Sequence, residues 1–207
     1  MEQRHISDAV IKRLPRYYRY LNDLINEKVE RISSEELSKR MGVTASQIRQ
    51  DFNNFGGVGQ QGYGYNVEFL RSEISKILGL DHDHNIIIIG GGNLGRAIAG
   101  YSRYELRGFK VKGIFDIDTA AIGTRVRDVE VMSMDSLEDF ISGNDISIAV
   151  LTIPVSAAME VAERLYNCGI RGFWNFAHTD LTLPADAYVE NVHLSESLMT
   201  LSYRLEP

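Results

Sequence analysis

The chain has 207 residues, 44% of them apolar, a net charge of −6 and one cysteine, Cys168; that length holds one large domain or two modest ones, and a lone cysteine excludes an internal disulfide and agrees with a reducing compartment. No apolar run reaches signal-peptide or membrane-spanning length, so neither secretion nor a membrane span is expected and the protein is expected in the cytoplasm. The charge is uneven, with 12 Lys and Arg against 10 Asp and Glu in residues 1–80, and 10 against 18 in residues 81–207.

Near the N-terminus Arg4, Lys12, Arg13, Arg16 and Arg19 crowd together with only Asp8 against them, a footprint for a polyanion or a solvated face. Ile11, Leu14, Tyr18, Leu21 and Ile25 fall at spacings of three and four, so they share one helical face. Pro15 divides this pattern into a short helix and a longer one that begins near the proline.

Two well-marked helix starts follow in ISSEELSKRMGVTASQIRQDF. Ser33 with Glu36 fits a capping box, Leu37 and Met41 supply the apolar stripe, and Gly42 ends the helix. Thr44 with Gln47 repeats the box, after which Ala45, Ile48 and Phe52 turn inward and Ser46, Gln47, Arg49, Gln50 and Asn53 outward. A helix, a three-residue turn and a second helix with polar residues at its start is the arrangement that enters a DNA major groove. Gln and Asn pair with adenine edges, and Arg pairs with guanine or phosphate. A small helical bundle with a wetted polar face fits the same pattern.

The next stretch, FGGVGQQGYGYNV, has the glycine density of a tight β-hairpin. A hairpin directly after a helix-turn-helix is a wing, which favours a DNA-binding winged helix over residues 1–80. Asn66 then caps a helix closed by Gly79, and a polar DHDHN loop marks the boundary. His82 and His84 in that loop have no cysteine or carboxylate cluster at ligand spacing, so no metal is expected.

Beyond the loop, Ile86–Ile89 is a continuous β-branched run, as in a strand buried on both faces of a parallel sheet. Gly90, Gly92 and Gly95 complete G-x-G-x-x-G: a tight turn, an open approach for a pyrophosphate, and close packing of helix on strand. Gly91, Asn93 and Leu94 lie inside the same turn, whose helix N-terminus offers free N–H groups to phosphates. A second strand ends at Asp116, about twenty residues on, where a carboxylate accepts the ribose hydroxyls and repels a 2′-phosphate. This favours NAD(H) over NADP(H). Ile117 adjoins that acid, and Asp118 is a lesser candidate for it.

Helix in DSLEDFI, strand in DISIAVLTIP, helix over residues 156–166, strand in RGFWNF and short strand YVENV continue the alternation, which specifies a Rossmann domain over residues 85–192. Ligands there lie beyond the carboxyl ends of the strands, which brings Thr152, Ile153, Pro154 and residues 175–178, including Phe176, toward the cofactor. Trp174 reads as core. Residues 193–207 remain, with Leu194, Leu198, Leu201 and Leu205 at helical spacing, a stripe suited to a second subunit. No substrate pocket is evident, and His178 and His193 read as structural before they read as proton carriers. Two functions stay open: a regulator that senses the cofactor, and a small NAD-dependent oxidoreductase with an added helical domain.

With RLPRYYRYL, TASQIRQDFNNFGGVGQQGYGYNV, IIIIGGGNLGRAIAGY and FDID in this order, the chain resembles the Rex family of redox-sensing transcriptional repressors from about residue 5 onward. The resemblance implies a repressor and no enzyme: a homodimer that binds a palindromic operator in double-stranded DNA when NADH is low and leaves it when NADH binds. It also implies that the C-terminal helix is exchanged between subunits. The redox-responsive tyrosine then falls on Tyr101, the basic residues near DNA or the domain interface on Arg13 and Arg19, and the recognition helix on residues 44–54. Where many members carry a basic pair in the wing this chain has Gln60 and Gln61, and where the family often has an aspartate opening the last helix it has His193, with Glu196 as the alternative switch partner.

Overall fold

A computed structural model describes residues 6–54, 59–60 and 63–205 and divides the chain into two units between His82 and Asp83. In the first unit α1 (Asp8–Ile11) leads into α2 (Leu14–Asn26). Pro15 sits in the first turn of α2, where its missing N–H leaves no helical bond unmade. The helical period restarts at Leu14, so the buried residues are Leu14, Tyr17, Leu21 and Leu24, while Ile11, Tyr18 and Ile25 pack at the margin of the same core.

The helix-turn-helix is formed by α3 (Ser34–Met41) and α4 (Ala45–Asn53). Ser33 and Glu36 make both halves of their capping box, at 3.1 and 3.0 Å. The second box is half made: Thr44 Oγ1 accepts the Gln47 N–H at 3.2 Å, but the Gln47 side chain turns to Asp51 instead of back to Thr44. Leu37, Met41, Ile48 and Phe52 close a core with Val67, Leu70 and Ile74 of α5 (Val67–Ile77), which Asn66 caps by accepting the Phe69 N–H at 2.8 Å.

β1 (Arg31–Ile32), β2 (Gly59–Gln60) and β3 (Gly64–Asn66) form an antiparallel sheet in the order β1-β3-β2, so the hairpin β2–β3 is anchored to the body by β1. The sequence pattern held no sign of β1, because a two-residue strand is too short to show a period of two. Gln61 and the side chain of Gln60 lie outside the described residues.

In the second unit β4 (His84–Ile89), α6 (Asn93–Gly100), β5 (Phe109–Asp116), β6 (Arg125–Val126), β7 (Val129–Ser133), α7 (Leu137–Gly143), β8 (Ile148–Leu151), α8 (Val155–Asn167), β9 (Gly172–Asn175), β10 (Tyr188–Asn191) and α9 (Leu194–Leu205) follow in turn. Among the described residues the sheet runs β10-β9-β8-β4-β5-β7-β6, parallel throughout except for β6. Numbered by appearance, the parallel strands stand in the order 3-2-1-4-5-6 across the sheet, the doubly wound dinucleotide-binding order.

The four isoleucines fill the centre of this sheet. Ile87 and Ile89 face a cluster with Phe115, Leu137 and Ala162, while Ile86 and Ile88 face the opposite one with Ile98, Ile114 and Val131. Each is buried, contributing roughly 2 kcal/mol. The strand order reverses between β4 and β8, so a crevice opens at their carboxyl ends. The third parallel strand, β7, went unpredicted because it is reached through the short β6 turn and not through a helix.

α9 buries none of its residues, and Leu194, Leu198, Leu201 and Leu205 are 52–75% exposed. Among the described residues no helix is long and apolar enough to cross a membrane, and no group of three or more His, Cys, Asp or Glu residues is arranged to hold a metal ion.

Candidate cofactor and nucleic-acid sites

β4 delivers the chain to Gly90, whose φ of 102° lies in the left-handed region and whose N–H donates to the Phe115 carbonyl at 2.8 Å. A Cβ on Gly90 would stand 2.6 Å from the Thr152 carbonyl oxygen, and one on Gly95 would stand 1.9 Å from that of Gly90. A Cβ on Gly92 would meet nothing within 4 Å. Two of the motif's glycines are therefore demanded by protein packing, and the middle one leaves open space at the N-terminus of α6, where a phosphate is stabilised by unpaired N–H groups. Thr152 stiffens the turn, its hydroxyl lying 3.0 and 2.9 Å from the carbonyls of Ile89 and Gly90.

Asp116 ends β5 beside this turn. One carboxylate oxygen accepts the Gly91 N–H at 2.5 Å, and the other accepts those of Ile117 and Asp118 at 2.7 and 2.9 Å. Three backbone donors hold the group in one orientation and leave acceptor capacity for sugar hydroxyls. Asp118 instead closes a local turn on the Ala120 N–H, at 2.9 Å. Ile117 is 84% exposed, an apolar face next to the acid. Sequence reasoning passed over Arg96, which donates to the Gly91 carbonyl at 2.8 Å and to Thr124 Oγ1 at 2.6 Å. It thereby ties the glycine turn to the loop before β6, a role that no motif encodes.

Asn93 is exposed at the start of α6 and Leu94 packs toward the sheet, while Pro154 begins α8 across the crevice. Tyr101 stands at the far end of α6, eight residues or about 12 Å of helix from the phosphate-facing turn. Its half-exposed ring meets Tyr104 edge to face at 4.8 Å, Tyr104 meets Trp174 at 5.7 Å, and Trp174 meets Phe176 at 4.7 Å. This aromatic path joins the end of α6 to the carboxyl end of β9. His193 opens α9 with its ring 5.0 Å from that of His178 and its Nε2 3.7 Å from Asp180, and its buried Nδ1 has no hydrogen-bond partner among the described residues.

In the first unit the predicted DNA residues divide into two groups. Lys12, Ser46 and Asn53 are exposed, Thr44 caps α4, and Arg49 donates to Ser34 Oγ at 2.9 Å. Arg13 and Gln47 are both engaged on Asp51, and Arg16 on the Met41 carbonyl that ends α3. Arg19 is exposed, its guanidinium 5.3 Å from the centre of the Tyr20 ring.

Residues 5–53 match the family model described as "Putative DNA-binding protein N-terminus", and residues 81–179 match the one described as "CoA binding domain". The redox-sensing transcriptional repressor Rex of Caldanaerobacter subterraneus subsp. tengcongensis is 60% identical over 200 residues, 97% of this chain and 89% of the relative. That of Clostridioides difficile is 56% identical over 203 residues, 98% of this chain and 97% of the relative. The chain belongs to the Rex family of redox-sensing transcriptional repressors. Membership decides between the two open functions in favour of the regulator over the oxidoreductase. Among solved structures, a Rex-family repressor, RSP, crystallised with β-NAD+ and operator DNA, superposes with a TM-score of 0.92 at 59% identity, covering 97% of this chain and 93% of that one. RSP crystallised with β-NADH gives 0.89 at 57% identity, covering 97% and 94%.

Proposed function

We propose that this Rex-family protein binds a palindromic operator as a homodimer in the cytoplasm and leaves it when NADH binds, so that repression follows the NADH/NAD+ ratio. The observation that carries the proposal is the pairing, on one chain, of a winged helix with a turn whose glycines leave space only at Gly92, beside the backbone-held carboxylate of Asp116. RSP, which superposes on this chain over 97% of its length, was crystallised with β-NAD+ and operator DNA and with β-NADH.

Gly90 to Gly95 and Asp116 hold the dinucleotide, with Ile117, Thr152, Pro154 and Phe176 around it and Tyr101 responding to its redox state through the aromatic path. Lys12, Ser46, Arg49 and Asn53 face the DNA from the winged-helix domain expected over residues 1–80. The exposed leucine stripe of α9 supports an exchange of the C-terminal segment, residues 193–207, between subunits, with Arg19 and His193 in the switch.

Nicotinamide and its reduced form differ by a positive charge and in ring shape, and only a difference in affinity between two conformations lets the cofactor shift them. A coupling of about 1–3 kcal/mol weakens operator binding about 5- to 150-fold. Titrating a palindromic duplex at several NADH/NAD+ ratios measures this; equal operator affinity with both nucleotides would remove the redox-sensing reading.

Asp116→Ala is expected to weaken NADH binding about 10- to 100-fold by removing a charged acceptor from the ribose, while DNA binding without cofactor is unchanged. An NADH fluorescence titration identical to that of the natural protein would show that another group receives the ribose.

A further inference from the structure

Tyrosine apart, only two polar side chains are buried among the described residues, Asn175 and Asp51, and Asp51 lies on the recognition helix α4 at 1% exposure. Its carboxylate receives four hydrogen bonds: Arg13 Nε and Nη2 at 2.7 Å each, Tyr17 Oη at 2.8 Å and Gln47 Nε2 at 2.8 Å. Four donors fill the acceptor capacity of a carboxylate. Three of those donors belong to two residues otherwise suited to bind DNA, Arg13 and Gln47.

We propose that Asp51 is a specificity-determining positioning residue, which takes the charge of Arg13 out of phosphate attraction and holds the amide of Gln47 in one orientation toward the DNA. This rests on the operator-binding reading above. A bidentate Arg–carboxylate pair is neutral as a unit, so Arg13 adds nothing to sequence-independent affinity while the pair persists. Because a carboxylate only accepts, Gln47 turns its nitrogen side inward, leaving its oxygen and second N–H for a partner such as an adenine edge. One buried charge thereby lowers non-specific binding and orders a reading group one helical turn away. A purely structural Asp51 would affect all duplexes alike.

The test uses the full chain and fluorescence anisotropy with two duplexes over a range of KCl: a palindrome selected by the natural protein from a random pool, and a scrambled duplex of equal composition. The natural protein is expected to prefer the palindrome by about 10³-fold or more; failure to select any sequence removes the operator reading itself. Asp51→Asn is expected to narrow that preference about tenfold, mainly through tighter binding of the scrambled duplex. The slope of log affinity against log salt should steepen by about 0.9 for each released arginine. Gln47→Ala alone should narrow the preference about as much, and adding it to Asp51→Asn should cost little more, because both changes remove one coupled interaction. An Asp51→Asn protein that melts cooperatively yet keeps the natural preference and salt slope, or weakens both duplexes equally, overturns the inference. Should that variant not fold, Tyr17→Phe removes one donor and keeps the ring, and is expected to narrow the preference about threefold, a smaller share of one base contact; an unchanged preference overturns it equally.

Discussion

Gly95→Ala is expected to make the protein blind to NADH while it stays on its operator. The added Cβ would stand 1.9 Å from the Gly90 carbonyl oxygen, a backbone atom that cannot rotate away, and 2.8 Å from Thr152 Oγ1. Relief requires α6 to move off the turn, which carries its N-terminal N–H groups away from where a pyrophosphate would lie. Restoring the binding geometry costs the strain again, about 3 kcal/mol for an overpacked site of this kind. The apparent affinity for NADH then falls roughly 150-fold. The helix-turn-helix belongs to the other unit, so operator binding without cofactor should match that of the natural protein. NADH fluorescence and operator anisotropy measured on the same sample separate the two effects. An NADH dissociation constant within about threefold of the natural value would mean that α6 does not need this close approach.

How much of this site was legible depends on how local each constraint is. The isoleucine run, the glycine spacing and the place of Asp116 at the end of β5 were readable because strand burial and turn geometry each act within one βαβ unit. The Ser33 capping box was readable for the same reason: donor and acceptor are three residues apart. β7 was not, since a five-residue strand reached through a short turn lacks the helical crossover that marks its neighbours. Arg96 was not, because its partners are a backbone carbonyl and a threonine in a loop 28 residues away.

The basic cluster near the N-terminus shows the limit most clearly. An arginine has the same letter whether it meets a phosphate or a carboxylate, and the Arg13–Asp51 bond spans 38 residues. One signal was available: Asp51 follows Ile48 by three positions and precedes Phe52, so it lies on the inward stripe of α4, where a charge needs a partner. Tyr101 was singled out only through the family resemblance, and its edge-to-face path to Phe176 joins a helix end to a strand end and leaves no periodic trace.

Arg13→Ala is expected to destabilise the DNA-binding unit by about 3 kcal/mol at neutral pH, because it leaves a buried carboxylate without its counter-charge. In the natural protein, burial pushes the Asp51 carboxyl up, but hydrogen bonds from Arg13, Tyr17 and Gln47, with the charge of Arg13, outweigh burial and hold it below the usual range. The same contact raises Arg13, and burial followed by the Asp51 hydrogen bond raises Tyr17, so both remain donors at neutral pH. A carboxyl depressed on folding contributes stability that is fully present above its unfolded value, near pH 4, and is lost as pH falls through the folded value. Without Arg13, burial, the largest of these effects, is opposed only by the hydrogen bonds of Tyr17 and Gln47, and the sign is expected to reverse. The carboxyl is then raised on folding, and the variant is penalised most at neutral pH and relieved as acid protonates Asp51. Thermal unfolding of both proteins from pH 8 down to about pH 4 should therefore show a wide gap that closes on acidification. A gap independent of pH would place the cost in lost packing of the arginine stem instead of in the unpaired charge.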